Sequence, residues 1–222
     1  MLKKVIIALV VLVIIGLGVI FMIPWGEYES TLEKSEVEQE VATDSSGNLI
    51  PTLTLLNGDY AVKSGEESQA EILFDVDGLK TTKGAFEKFS ILFNIPADYS
   101  RSTLIVEIES NSINTGNEMR DEHLVDPDFF DVKNFPIIKF QSSEIEEGDT
   151  SYIAHGELSL LDQLNKIDVP FKHLGKGVNT NGADFEAFEG KLTFDRTEYG
   201  MEEVSGAGNV VTVSFYCELL KQ

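Results

Sequence analysis

From residue 53 to the end of the chain, apolar and polar residues alternate in short runs that are separated by turn-forming residues. Successive side chains of an extended strand point to opposite faces, so each run has one apolar face. Roughly eight such runs follow one another with hairpin-length links and without strand–helix–strand alternation. Residues 53–222 are therefore expected to form an all-β domain, either an antiparallel barrel or a sandwich.

The apolar members of these runs predict which residues face the interior. An eight-stranded barrel encloses space that is either filled by side chains or able to hold one small ligand. A register slip of one residue would turn a whole strand inside out, so each assignment depends on its own strand. The alternation assigns these residues to the inner face and to the lining of any cavity: Ile72, Phe74, Phe89, Ile91, Val106, Phe140, Leu158, Phe171, Phe194, Val213 and Phe215.

A polar stretch rich in turn-forming residues, 111–134, interrupts the strands. Within it, Asp126 and Pro127 are typical of a helix start, because an Asp side chain accepts from free N–H groups there and Pro has no N–H to leave free. We expect a short helical turn after them that buries Phe129 and Phe130. The sequence thus predicts a short helix and loop inserted into the barrel.

The N-terminal residues 1–25 contain two lysines followed by an uncharged run of 19 residues, 5–23. At about 1.5 Å per residue this run spans most of a roughly 30 Å hydrocarbon core. A cleavable signal peptide is the alternative, but no small-residue cleavage site follows the run, which favours an uncleaved transmembrane helix. The lysines place the N-terminus in the cytoplasm and the rest of the chain in the periplasm or another extracytoplasmic space.

Residues 26–52, between this anchor and the strands, hold seven acidic residues and one lysine. Too few apolar residues are present to bury a core, so the composition predicts an acidic, flexible tether. The whole chain has a formal net charge of −21. Such a surface repels the phosphates of nucleic acid, which excludes nucleic acid as a partner.

Motifs for catalysis or metal binding do not stand out. Cys217 is the single cysteine, and no two histidines have metal-ligand spacing. An enzyme that uses His123 with Asp121 or Asp126 is the weakest of the readings considered, and we expect a protein that is not an enzyme. Candidates for a loop region that meets a ligand headgroup are Arg120, Asp121, His123, Phe129, Phe130 and Arg196.

Several blocks of residues 57–220 resemble the YceI-like family in both order and spacing. A lone Asp-Phe-Phe would be weak, but blocks in the same order across the domain make the resemblance specific. The matching blocks are Gly84-x-Phe86 with Phe89, Asn111-Ser112-Ile113-x-Thr115-x-Asn117, Arg120-Asp121-x-His123-Leu124, Asp128-Phe129-Phe130-Asp131-Val132, Phe135-Pro136-x-Ile138-x-Phe140-x-Ser142, Gly156-x-Leu158-x-Leu160 and Asp195-Arg196-x-x-Tyr199-Gly200-Met201.

This resemblance implies an eight-stranded antiparallel, lipocalin-like barrel with a short helix and loop insertion. It implies an elongated apolar cavity that binds a polyisoprenoid or a similar long amphiphile, and no cofactor besides that lipid. It also implies export to the periplasm and a homodimer. Family members often carry His-Ser where this chain has Glu67-Ser68, and Leu-x-Leu-His-Gly where it has Leu161 and Asp162 after Leu160. We therefore expect a neutral or weakly polar ligand and not a prenyl pyrophosphate.

The leading interpretation is a membrane-tethered, extracytoplasmic carrier or reservoir of one long-chain isoprenoid-type lipid, such as a polyprenol or an isoprenoid quinone. Burial of each methylene contributes about 0.8 kcal/mol, so a partly inserted prenyl chain binds without charge pairing. The alternative is an interaction protein whose barrel is packed solid and whose residues 111–134 bind a protein partner.

Overall fold

The computed structural model describes residues 27–39, 42–47, 49–50, 52–65, 69–148 and 151–222. The anchor predicted for residues 1–25 lies outside these ranges, and so does Glu67-Ser68. Among the described residues, no helix has the length and apolarity needed to cross a bilayer.

The described chain contains thirteen strands, one α-helix and four short 3-10 helices. The α-helix, α1, is Glu118–Leu124, and the 3-10 helices are Thr52–Thr54, Tyr99–Arg101, Ser110–Ser112 and Arg196–Tyr199. The strands are β1 (Ala42–Thr43), β2 (Leu49–Ile50), β3 (Gly58–Lys63), β4 (Ala70–Gly78), β5 (Thr82–Phe86), β6 (Phe89–Ile95), β7 (Thr103–Glu109), β8 (Ile113–Asn114), β9 (Ile137–Glu147), β10 (Tyr152–Leu160), β11 (Gln163–Val178), β12 (Asp184–Asp195) and β13 (Ala207–Lys221).

Eight strands form a closed antiparallel ring in the order β3, β6, β7, β9, β10, β11, β12, β13. The ring closes where β13 pairs back with β3, with Leu220 opposite Ala61. The predicted all-β, eight-stranded barrel is thereby confirmed, and the sandwich alternative is wrong. β4 pairs with β13 beyond the end of β3, and β5 and β8 continue from it, so these three strands extend the barrel at one end.

The two ends of the barrel differ. At the end opposite to α1, which we call the sealed end, Leu53 is fully buried. The Tyr152 hydroxyl lies 3.1 Å from Oγ1 of Thr52 and accepts from the N–H of Leu53 at 3.3 Å, so the first 3-10 helix closes this end. The other end, which we call the α1 end, is surrounded by the β4–β5 turn, α1 and the 3-10 helix Arg196–Tyr199.

The helix of the insertion is displaced from its predicted position. It spans Glu118–Leu124, where Asn117 caps it by accepting from the N–H of Arg120 at 3.1 Å. The predicted helical turn after Asp126 consists of separate turns, in which the Asp126 carbonyl accepts from the N–H groups of Phe129 and Asp131 at 3.0 Å. Asp131 has a φ of 41°, a left-handed conformation that a right-handed helix cannot include.

Residues 27–39, which we call the strap, lie across the outer faces of β11, β12 and β13. Glu38 forms an isolated bridge with Lys176 of β11. The N–H of Ser35 donates to Oε1 of Glu218 on β13 at 3.2 Å, and Glu218 is fully buried. A second, small hydrophobic cluster lies beneath the strap, formed by Leu32, Val37, Leu174, Phe185, Ala187, Tyr216 and Leu220. The flexibility predicted for residues 26–52 stays a prediction.

Candidate functional site

The barrel encloses an apolar cavity and is not filled by side chains. The cavity has a volume of about 200 Å³. Its wall includes residues of the barrel, of the insertion and of the connection between β12 and β13: Ile72, Phe74, Val76, Thr82, Phe86, Ile91, Phe93, Leu104, Val106, Ile108, Ile113, Leu124, Phe129, Phe130, Ile138, Phe140, Leu158, Leu160, Ile167, Val169, Phe171, Phe188, Leu192, Phe194, Arg196, Met201, Ala207, Val211, Val213, Phe215, Cys217 and Leu219.

The cavity is elongated along β13. Ala207 at the start of β13 and Leu219 near its end both line it, so the cavity follows most of this strand. Towards the sealed end, lining residues such as Phe171 are buried by their neighbours, whereas Val211 and Val213 towards the α1 end are only half-buried. The free space therefore lies mainly in the half of the barrel next to the α1 end.

The structure places ten of the eleven residues predicted to face inward around this cavity. The exception is Phe89, which is buried in the same hydrophobic core but does not line the cavity. Contact of these residues with a ligand stays a prediction. The alternation could also have identified Phe93 and Leu219, since they occupy the same strand faces as Ile91 and Phe215.

The insertion supplies part of the wall, which the alternation of strand residues could not reveal. Phe130 meets Phe86 of β5 edge to face, with the ring centroids 5.8 Å apart. Phe129 is buried, and its ring lies at 5.1 Å from that of His123. Two of the predicted loop residues, Phe129 and Phe130, therefore close the side of the cavity.

Arg120 holds the insertion together from within. Its Nε donates to Oγ1 of Thr115 at 2.8 Å and its Nη2 donates to the Thr115 carbonyl at 2.9 Å. Oδ1 of Asp121 accepts from the N–H of the same threonine at 3.0 Å. Burial lowers the pKa of Arg120, and the charge of Asp121 opposes this effect. Neither side chain lines the cavity.

Arg196 does line the cavity, at the α1 end. Its Nε donates to the Gly208 carbonyl at 3.0 Å, Nη1 to the Glu202 carbonyl at 2.5 Å and Nη2 to Oδ1 of Asn209 at 3.3 Å. Burial lowers the pKa of this guanidinium, against the opposing effect of Asp195. The three nitrogens thus bind the connection between β12 and β13, through Glu202, and the first residues of β13, through Gly208 and Asn209.

Asp195 and Arg196 are adjacent and opposite in charge, which suggests an ion pair, but the Asp195 carboxylate makes its hydrogen bonds with another residue. Oδ1 of Asp195 accepts from the N–H of Thr197 at 2.8 Å and from its hydroxyl at 2.6 Å. These two bonds lower the pKa of Asp195. The carboxylate therefore caps the following 3-10 helix.

His123 lies next to the cavity wall, where its ring contacts Phe129, and its approach to Asp126 is a long one. Its Nδ1 is 3.9 Å from Oδ2 of Asp126, which is longer than a hydrogen bond. Asp121, the other partner considered for it, is bonded to Thr115. Over the described ranges, no group of three or more His, Cys, Asp or Glu side chains is arranged to hold a metal ion.

Comparison with known families decides the classification. The model of the YceI-like domain matches residues 60–219, which is most of the chain. The chain belongs to the YceI-like family. A protein of Vibrio cholerae, named only as a member of the UPF0312 group, is 27% identical over 164 residues, covering 72% of this chain and 86% of the relative.

Solved structures share the fold of this YceI-like chain. BcnA of Burkholderia cenocepacia superposes with a TM-score of 0.60 at 23% identity, covering 67% of this chain and 95% of BcnA. A polyisoprenoid binding domain from Saccharophagus degradans superposes with a TM-score of 0.55 at 12% identity, covering 75% of this chain and all of that domain (100%). At these identities the likeness concerns the fold.

Proposed function

We propose that this YceI-like protein binds one long-chain isoprenoid-type lipid inside the barrel and acts as a membrane-tethered, extracytoplasmic carrier or reservoir. The observation that carries the proposal is the elongated cavity, whose wall, as far as the described residues form it, contains ten phenylalanines and a single charged residue, Arg196. Ligand sites of this kind are largely apolar with few polar groups. A structural neighbour that is a polyisoprenoid binding domain supports the same ligand class.

The ligand is expected to have a neutral or weakly polar headgroup, such as a polyprenol or a quinone. Binding of a pyrophosphate needs cations that are free to pair with it. Of the two arginines considered for this role, Arg120 donates to Thr115 away from the wall and Arg196 donates to Gly208, Glu202 and Asn209. The net charge of −21 further opposes an anionic headgroup.

Native mass spectrometry tests this proposal directly. A version beginning at Gly26 keeps the strap and is exported with a cleavable leader, purified without detergent and then extracted. We expect about one isoprenoid lipid per chain, and competition by a free polyprenol or quinone. A chain that is isolated without lipid and takes up neither compound would refute lipid binding. Tight binding of a prenyl pyrophosphate alone would refute the neutral headgroup.

The alternative function, a solid barrel that binds a protein through residues 111–134, is disfavoured by the cavity. These residues also form part of the cavity wall through Phe129 and Phe130, which leaves fewer apolar side chains for a partner. The homodimer implied by the family resemblance stays a prediction, and light scattering of the purified chain measures it.

A further inference from the structure

The described chain begins beside the α1 end of the barrel. Oε1 of Glu27 lies 2.5 Å from Nζ of Lys80 in the β4–β5 turn. A Cβ on Gly116, in the loop before α1, would lie only 2.9 Å from the carbonyl carbon of Glu27, so the two backbones touch. Glu27, the first residue that the structure describes, therefore lies at the end of the barrel next to the free space of the cavity.

From this point the strap runs along the outside of the barrel towards the sealed end. Lys34 pairs with Glu189 at 3.1 Å, and Ser35 donates to the buried Glu218. Removal of the strap would expose Tyr216 and its apolar neighbours and take away a hydrogen-bond donor from Glu218. These contacts oppose detachment of the strap, because a buried carboxylate that loses a donor is costly.

Exposed large apolar residues also concentrate at the α1 end. Single exposed apolar residues are normal, but a group of them around one opening indicates a contact surface. Of the eight large hydrophobic residues that are exposed within the described ranges, five surround this end: Leu79, Met119, Ile137, Leu164 and Val210.

Strand pairing places three of these residues on one rim, and the elements that hold the other two lie beside it. Val210 pairs with Asp195, the last residue of β12, and Leu164 lies opposite Ser159 near the end of β10. Ile137 pairs with the last residue of β7, Leu79 follows the last residue of β4, and Met119 is in α1. We call these five residues the apolar rim.

The short length of chain between the predicted anchor and the strap limits the distance of this rim from the bilayer. Three residues, 24–26, lie between Ile23, the end of the uncharged run, and Glu27. The four Cα-to-Cα steps from Ile23 to Glu27 span at most about 14 Å. The headgroup layer on each side of a bilayer is roughly 5–8 Å thick. The sequence predicts that residues 5–23 cross the hydrocarbon core, and on that prediction, with the strap in place, the α1 end cannot move far from the lipid surface.

We propose that the strap holds the barrel with its α1 end facing the bilayer that anchors the chain, and that the apolar rim contacts this lipid surface. The inference rests on the proposed function, since it gives the route by which a lipid enters the cavity without crossing water. The partner is a bilayer surface poor in anionic lipid, because the net charge of −21 repels anionic headgroups.

Site-specific quenching tests the orientation on the full chain in phosphatidylcholine nanodiscs. A bimane is attached to Leu79→Cys or Met119→Cys at the rim, and to Leu55→Cys or Val178→Cys towards the sealed end as matched controls. The buried Cys217 is not expected to react, which the unmutated chain verifies. With nitroxide-bearing lipids in the disc, we expect quenching at least threefold stronger at the two rim positions than at the two controls.

Equal quenching at the four positions, stronger quenching at the controls, or a chain that does not remain with the nanodiscs would overturn the inference. The role of the strap is tested with Ser35→Pro, which removes the N–H that bonds to Glu218, against Ser35→Ala, which keeps it. Rim quenching should fall at least twofold in the proline variant alone, and unchanged quenching in a folded proline variant would overturn the strap's role. The four-position comparison does not depend on that variant.

Extraction of lipid from the same samples separates this inference from the proposed function. Retained lipid without rim quenching overturns the orientation and leaves lipid binding intact. Rim quenching without retained or exchangeable lipid refutes lipid binding, while the barrel still faces the bilayer.

Discussion

Filling the cavity should abolish most of the ligand affinity without unfolding the barrel. Val213 on β13 lines the cavity and is half-buried there, opposite Leu192 on β12. Val213→Phe adds about four carbon atoms that exclude a similar number of ligand carbons, each worth about 0.8 kcal/mol on burial. The loss of about 3 kcal/mol corresponds to a dissociation constant roughly 100-fold weaker. The new ring occupies empty space, so stability should change by less than about 1.5 kcal/mol.

Fluorescence titration with a dansyl-labelled prenyl alcohol measures this effect, and urea unfolding checks the stability. The matched control is Thr193→Phe, which adds the same ring on the outer face of β12, where Thr193 is exposed and pairs with Thr212. Its affinity should equal that of the unmodified chain. If Val213→Phe binds within threefold of the unmodified chain, or if the control weakens binding equally, the ligand does not occupy this half of the barrel.

Three further outcomes follow from individual side chains. The hydrogen bond of His155 with Asp168, and to a smaller extent that with Glu146, raises the pKa of the imidazole above its ordinary value. The stabilisation from these bonds is present below the ordinary pKa and is lost as the pH rises through the raised one. An NMR titration should show this and a lower value in Asp168→Asn, whereas equal values would contradict it. Burial raises the pKa of Cys217 to about 12, so maleimide should react only after unfolding, and rapid reaction of the folded chain would contradict this. A Cβ at Gly156 would lie 2.4 Å from the Gln141 carbonyl oxygen, so Gly156→Ala should destabilise the barrel by about 1–3 kcal/mol in urea unfolding, and an unchanged midpoint would argue against a rigid contact.

The inner faces of the barrel strands were readable from the sequence because side-chain direction alternates with a period of two. Phe74 and Val213 needed no knowledge of their partners to be assigned inward. Arg196 and Phe129 could not be assigned to the wall in this way, because they lie outside the strands and their positions depend on contacts with distant residues. The helix was misplaced because Asn117, and not Asp126, supplies the cap that begins it.

The strand-rich class, the inward apolar faces and the family resemblance could be predicted without coordinates, since they depend on local alternation and on the order of short motifs. That the barrel is hollow became visible only in the folded chain, because free space depends on how side chains from opposite walls meet. The same holds for the position of the acidic strap. Leu32 and Val37 are too few to predict burial, but Phe185 and Tyr216 on the outer barrel face give them a surface to pack against.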